Sequence, residues 1–224
     1  MTSAHRVRQI QPRLLFEAAV DEIRRALYSG VYQPNDRINE VELARSLNLS
    51  RGPVREAIRR LEQDGVVVSE PQKGVRVANL TQQDALDALA IREHLETLSC
   101  ARIAAEVSED HLVLLGEIID EMRTAEEDRD LFATIDLDYQ FHRTYMEIAS
   151  STTAKRVWQS IAEQNRMYQA LSNKLWLEVG SVADSHVLIT DALTSGDAGT
   201  LRQAVIAHID ESRALVEGRP PAGG

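Results

Sequence analysis

Apolar residues recur at helical spacing along almost the whole chain, and a β-prone pattern interrupts them once. Leu15, Ala18, Ala19, Ile23 and Leu27 predict a first helix that stops at Gly30. The stretch GVYQPNDRIN, punctuated by Pro34 and Asn35, predicts a loop or short strand. Val41, Leu43, Ala44 and Leu47 then form the apolar side of a short helix over 40–47. A second helix follows after a tight turn, with Ser50 as its N-cap, Pro53 in its first turn and Gly65 at its end. Asn48 occupies the turn, and asparagine is among the few non-glycine residues that tolerate left-handed backbone. VVVS and VRVA predict two strands joined by EPQKG, with a hairpin tip near Gly74.

Beyond Leu80 the β signal all but vanishes. Thr81 is a candidate cap for a helix over 82–106, and further helices are predicted near 109–127, 130–149, 153–178, 181–195 and 198–217. Residues 1–12 read as a loose arm and GRPPAGG as a disordered tail. The expectation is a mainly α protein of two units: a helix-turn-helix with a small β-wing over 13–78, and an all-helical bundle over 79–217.

Charge divides the chain at the same place. The 224 residues carry a formal net charge of -10, but residues 1–78 hold 13 Lys and Arg against 10 Asp and Glu, and the remainder holds 12 against 25. Only the first unit suits a polyanion, and the second has to point away from one. Cys100 is the single cysteine, which excludes an intramolecular disulfide framework and a thiolate metal site. No secretory leader pattern opens the sequence and no apolar run is long enough for a bilayer, so the expected protein is soluble and cytoplasmic, without a membrane partner.

The second helix of the first unit carries Arg51, Arg55 and Arg59 one turn apart, on the side opposite Val54, Ala57, Ile58 and Leu61. Guanidinium groups match guanine edges and phosphates, and a helix N-terminus attracts phosphate itself. Lys73 and Arg76 in the wing are placed to reach the DNA backbone or minor groove. A solvated arginine face is the plainer reading, but the order helix, turn, helix, wing on the basic part of an acidic chain favours DNA.

In the acidic unit, Asp138 and His142 in DYQFH lie one helical turn apart, and His186 and His208 sit among apolar residues on two other predicted helices. A carboxylate with three imidazoles suits a borderline divalent ion such as zinc, nickel, manganese or iron. Four separate core side chains are the alternative. Arg92, among Leu89, Ile91 and Leu95, needs an anion, either Glu96 internally or the carboxylate of a ligand. His94 reads as a pocket or core residue and His111 as an early-helix surface residue.

With NEVELARSLNLSRGPVREAIRRLEQDG, Gly74, IREHLE, ARIAAE, DYQFH, His186 and His208 in register, the chain resembles the GntR family of bacterial transcription regulators. The likeness is to the FadR-like branch with an FCD ligand-binding domain, and it spans nearly all of residues 12–217. The resemblance implies operator contacts by Arg51 and Arg55, with Arg59 an extension, and a minor-groove wing tip at Gly74. It implies metal ligation by Asp138, His142, His186 and His208, and a pocket role for Arg92 toward a carboxylate-bearing effector. It also implies a homodimer on double-stranded operator DNA, answering to an organic acid or sugar acid. Val41 stands where some members carry another DNA-contacting arginine. A metal-dependent hydrolase with a DNA-targeting unit is the rival from another class, but no separate general base is identifiable.

Overall fold

The computed structural model describes residues 12–172 and 181–218. Most of the arm read over 1–12, the end of the helix predicted to reach 178, and most of the tail lie outside the described residues. In chain order the elements are α1 (Pro12–Tyr28), β1 (Arg37–Ile38), α2 (Glu40–Ser46), α3 (Arg51–Gln63), β2 (Val67–Glu70), β3 (Gly74–Val77), α4 (Gln82–Glu106), α5 (Glu109–Glu127), α6 (Leu131–Ile148), α7 (Thr152–Ser172), α8 (Val182–Ser195) and α9 (Ala198–Val216). The chain is therefore mainly helical, with a winged helix-turn-helix ahead of a helical bundle.

In the first unit, α1 packs on α3, and α2 meets α3 across the turn. The Asn39 side chain accepts the Val41 N–H at 3.0 Å and so starts α2. Asn48 takes φ 52° at the turn, the left-handed geometry expected of it. Ser50 holds the N-cap position with extended backbone, but its hydroxyl makes no capping hydrogen bond; the expected cap is positional only. The wing has three strands in the order β1-β3-β2, all antiparallel, because Arg37 and Ile38 pair with Arg76 and Val75. Gly74, at φ 80°, closes the hairpin opposite Glu70.

The bundle helices begin on side-chain caps. The Thr81 hydroxyl accepts the Asp84 N–H while the Asp84 carboxylate accepts the Thr81 N–H, a reciprocal box at the head of α4. Ser108 and His111 repeat it on α5, where His111, expected on the surface, is half-buried because its ring turns back to Ser108. Asp130, Ser181 and Asp197 cap α6, α8 and α9. Inside, Phe141, Tyr145, Trp158, Ile189 and Ile209 are fully buried in one apolar cluster. Burial of such side chains at ~1.5–3 kcal/mol each is the main force holding the helices together.

A second apolar cluster fills the winged unit and continues into the bundle. Ile23, Leu27, Leu61 and Val66 belong to it, and so do Ile135 of α6 and Met167 and Ala170 of α7. At Gly65, φ is 76°, and a Cβ there would lie 2.9 Å from the Gln164 side chain. The end of α3 therefore rests closely on α7. Replacing Asn48 by valine is expected to lower stability by ~1–2 kcal/mol, the cost of a branched residue in left-handed backbone, whereas glycine stays within ~0.5 kcal/mol; denaturant melts of the three proteins check it.

Candidate functional site

Four side chains from three helices converge inside the bundle. Asp138 and His142 on α6, His186 on α8 and His208 on α9 are buried, and each offers one ligand atom within 4.8 Å of the others. His142 Nε2 lies 3.1 Å from His186 Nε2 and 3.0 Å from His208 Nε2, and His186 Nε2 lies 3.3 Å from the Asp138 carboxylate. Donor atoms ~2.1 Å from a common ion sit ~3.0 Å apart at right angles and ~3.4 Å apart at tetrahedral angles. These three pairs already fit, whereas Asp138 and His142, 4.0 Å apart, and the widest pair have to close.

Ring orientation strengthens the case for a cation. His142 Nδ1 faces the Glu96 carboxylate at 3.1 Å, and His186 Nδ1 faces the Val182 carbonyl at 2.7 Å. Both partners only accept, so each neutral ring keeps its proton on Nδ1 and turns a bare Nε2 inward. Two such lone pairs 3.1 Å apart repel unless a positive charge lies between them. Burial pushes His142 and His208 toward the neutral form. Burial alone would raise Asp138, but the charges around it, Arg92 among them, hold the carboxyl well below its usual range. Asp138, His142 and His208 are thus biased toward their deprotonated forms, the state that binds a divalent ion.

Glu96 organises the flank of this cluster. Its carboxylate accepts from Arg92 Nε at 2.6 Å, from Trp158 Nε1 at 2.8 Å and from His142 Nδ1. Arg92 therefore has the internal partner that its sequence surroundings allow, yet its Nη2 makes no hydrogen bond among the described residues. That guanidinium, Asp138 and His142 line a cleft with Tyr139, Trp158 and Ala162, and α7 adds Asn165, Arg166 and Gln169. Buried polar atoms of Asn165, Arg166 and Gln169 also lack partners among the described residues. Unpaired buried polar groups are costly, and a polar ligand would satisfy them. His94, expected in a pocket or core, is instead exposed, with its Nδ1 donating to the Ala90 carbonyl one turn back.

On the winged unit, Arg51, Arg55 and Arg59 are all exposed along α3. Arg51 and Arg55 share a shallow cleft with Gly74, Glu40 and Arg37. Glu40 lies 3.6 Å from Arg55, an exposed pairing that a phosphate can replace. Lys73 sits at the wing tip beside Glu70, and Arg76 donates to the Asn35 carbonyl at 2.7 Å. Arg37 escaped the sequence reading, because its place follows from β1 pairing with β3. Asn165, Arg166 and Gln169 escaped it too. Their spacing of one, three and four residues was the available signal, on a helix whose apolar pattern alone drew notice.

Fold and site together define a class: a winged helix-turn-helix regulator whose helical bundle holds a buried ligand cluster. Residues 15–77 match the family described as bacterial regulatory proteins, gntR family, and residues 87–211 match the FCD domain. The chain belongs to the GntR family, with an FCD domain as its second unit. It is 30% identical over 174 residues, 77% of this chain and 75% of the other, to the "Probable D-xylose utilization operon transcriptional repressor" of Paenarthrobacter nicotinovorans. It is 25% identical over 192 residues to the HTH-type transcriptional repressor RspR of Escherichia coli, covering 84% of this chain and 83% of that one. The solved structure of E. coli McbR/YncC shares the fold at TM-score 0.77 and 20% identity, with 91% of this chain and 97% of that chain covered. A GntR regulator from Rhodococcus sp. RHA1 does so at TM-score 0.75 and 21% identity, over 91% and 97%. The chain is a DNA-binding transcriptional regulator rather than an enzyme, and repressors are among its relatives. No helix among the described residues is long and apolar enough to cross a membrane.

Elemental analysis of protein purified without chelator is expected to find about one divalent ion per chain. Stripping it with EDTA should lower the melting temperature by ~5–10 °C, the effect of an ion held at ~100 times its dissociation constant. His142→Ala should lose both the ion and the EDTA response. A protein that carries no ion and melts identically with and without EDTA or added zinc would exclude this use of the cluster.

Proposed function

We propose that this regulator is a homodimeric repressor of a palindromic operator, and that a small carboxylate-bearing metabolite bound beside a divalent ion controls its hold on DNA. One juxtaposition carries the reading: a buried arginine with a free N–H shares a cleft with two members of the histidine and aspartate cluster. Asp138, His142, His186 and His208 would hold the ion, with zinc favoured by the donor set and nickel, manganese or iron as its competitors. Such an ion supplies a positive anchor for a carboxylate or hydroxyl oxygen.

The protein's own groups do the rest. Arg92 Nη2 donates to the ligand carboxylate while Glu96 holds the guanidinium in place. Trp158 and Ala162 form the apolar wall, and water is excluded by burial. On the DNA side, Arg51 and Arg55 read base edges or phosphates from the start of α3, with Arg59 one turn on. Gly74 lets the wing backbone approach the minor groove, and Lys73 and Arg76 add charge beside it. Arg37, in the same cleft as Arg51 and Arg55, joins them as a phosphate contact. In a dimer the two α3 helices enter successive major grooves one helical turn apart.

Electrophoretic mobility shifts with the intergenic DNA upstream of the gene test this reading at fixed salt. Wild type should give a discrete shift that resists competitor DNA, and Arg55→Ala should weaken it by ~10–100-fold, the worth of one arginine–base contact. Arg37→Ala should weaken binding to all sequences alike and reduce the salt slope by ~0.9, as one phosphate contact predicts. Absence of a specific shift there and in a genome-wide selection would refute operator binding.

A further inference from the structure

Arg166 of α7 joins the bundle cleft to the DNA-binding unit. One face of its guanidinium lines the cleft, where its Nε makes no hydrogen bond among the described residues. Its Nη1 donates to Glu163 at 3.1 Å, its Nη2 donates to Asp136, and its carbon lies 4.4 Å from the centre of the Tyr139 ring. Glu163 is fully buried and holds α1 with both oxygens: Arg24 reaches it at 2.9 Å and the Tyr28 hydroxyl donates at 2.9 Å. Arg24 in turn lies 3.4 Å from Asp64, the residue that ends α3. A continuous path therefore runs from the cleft through Arg166, Glu163 and Arg24 to the helix that carries Arg51 and Arg55. Among the residues lining the cleft, Arg166 alone has a carboxylate partner that also grips α1.

The cleft cannot fill without disturbing this path. Nowhere between its lining side chains is there room for a water-sized sphere. An occupant has to displace side chains, and an anion has to draw the free N–H groups of Arg92 and Arg166 toward itself. Two arginines with free donors call for two carboxylates, while the free amide nitrogen of Asn165 and amide oxygen of Gln169 call for a hydroxyl group between them.

We infer that Arg166 is a second anion-binding group of the cleft, that with Arg92 it recognises a small hydroxydicarboxylate, and that it transmits occupancy to the DNA-binding unit through Glu163 and Arg24. The inference rests on the cleft being the effector site. Binding that pulls Arg166 off Glu163 leaves Glu163 to Arg24 and Tyr28 of α1 and lets the winged unit reorient, so effector and operator DNA compete through one side chain.

The test uses the full-length, metal-loaded protein with Trp176→Phe, leaving Trp158 in the cleft wall as reporter, and L-malate as the probe. Malate should change Trp158 emission and shift operator affinity by about tenfold, a typical coupling. Arg166→Gln should weaken malate binding at least tenfold. Arg24→Gln, altered at a residue outside the cleft, should bind malate within twofold of wild type yet lose the effect of malate on the operator. Operator DNA added alone should alter Trp158 emission in the parent but not in Arg24→Gln. Should Arg166→Gln fail to fold, the Arg24→Gln arm decides the transmission and Arg166→Lys, which keeps the charge, decides the binding. Full transmission in Arg24→Gln, or undiminished malate affinity in the Arg166 variants, overturns the inference. No Trp158 response to malate in the parent removes the hydroxydicarboxylate site and the inference with it; operator binding by the same protein then leaves the regulator reading standing.

Discussion

The carboxylate of Glu96 is the constraint on which the bundle's chemistry depends. It is wholly buried and accepts hydrogen bonds from three helices: its own through Arg92, α6 through His142 and α7 through Trp158. Burial alone would neutralise it, yet the Arg92 charge beside it holds it ionised, well below the usual carboxylate range. Removing one partner from such a pair leaves an uncompensated charge, at a cost of ~3–5 kcal/mol. The same interaction that ties α4 to α6 and α7 also fixes the His142 tautomer and aims one face of Arg92 into the cleft. Structure and site therefore share a single anchor, and neither can be altered there without the other.

The caps and the apolar clusters set where that anchor lies. Reciprocal boxes at Thr81 and Ser108 fix where α4 and α5 begin, so the rotation of Arg92 and Glu96 toward the interior follows from α4's register. Asp138 and His142 share one face because they are a turn apart, and their neighbour Phe141 packs edge-on against both His142 and His186. The Phe141 ring thus limits how far either imidazole can swing. Shape around the donor atoms is set by core packing, and their protonation by the hydrogen bonds behind them.

Much of this was legible in the sequence, and what was not has a common cause. Helix positions from Leu15 to Val216 followed from apolar periodicity and capping residues, and the left-handed turn at Asn48 from its side chain. The convergence of Asp138, His142, His186 and His208 could be put forward because one pair was local and each histidine sat among apolar neighbours. Pairings between distant elements were invisible. Arg37 gains its place only when β1 joins β3, and Arg166 only when α7 meets α1. His94 misled because it shares a stretch with Leu89, Ile91 and Leu95, while the helix turns it outward. Arg92 and Glu96, four residues apart, were readable as a pair; the third and fourth members of that network, Trp158 and His142, were not.

The junction between the two units combines two kinds of contact with different consequences. Ile135, Met167 and Ala170 give it apolar adhesion, which tolerates small rotations because it has no preferred direction. Arg24, Asp64, Glu163 and Arg166 give it hydrogen-bonded ion pairs, which are directional and add little net stability once desolvation is counted. A contact of the first kind keeps the units together, and one of the second selects their angle. A regulatory change in DNA affinity needs only ~1–3 kcal/mol of coupling, which is about the worth of one charged hydrogen bond exchanged for another. Displacing a single arginine from a single carboxylate is therefore enough in magnitude. Because the apolar contacts persist through the exchange, the units can change orientation without separating.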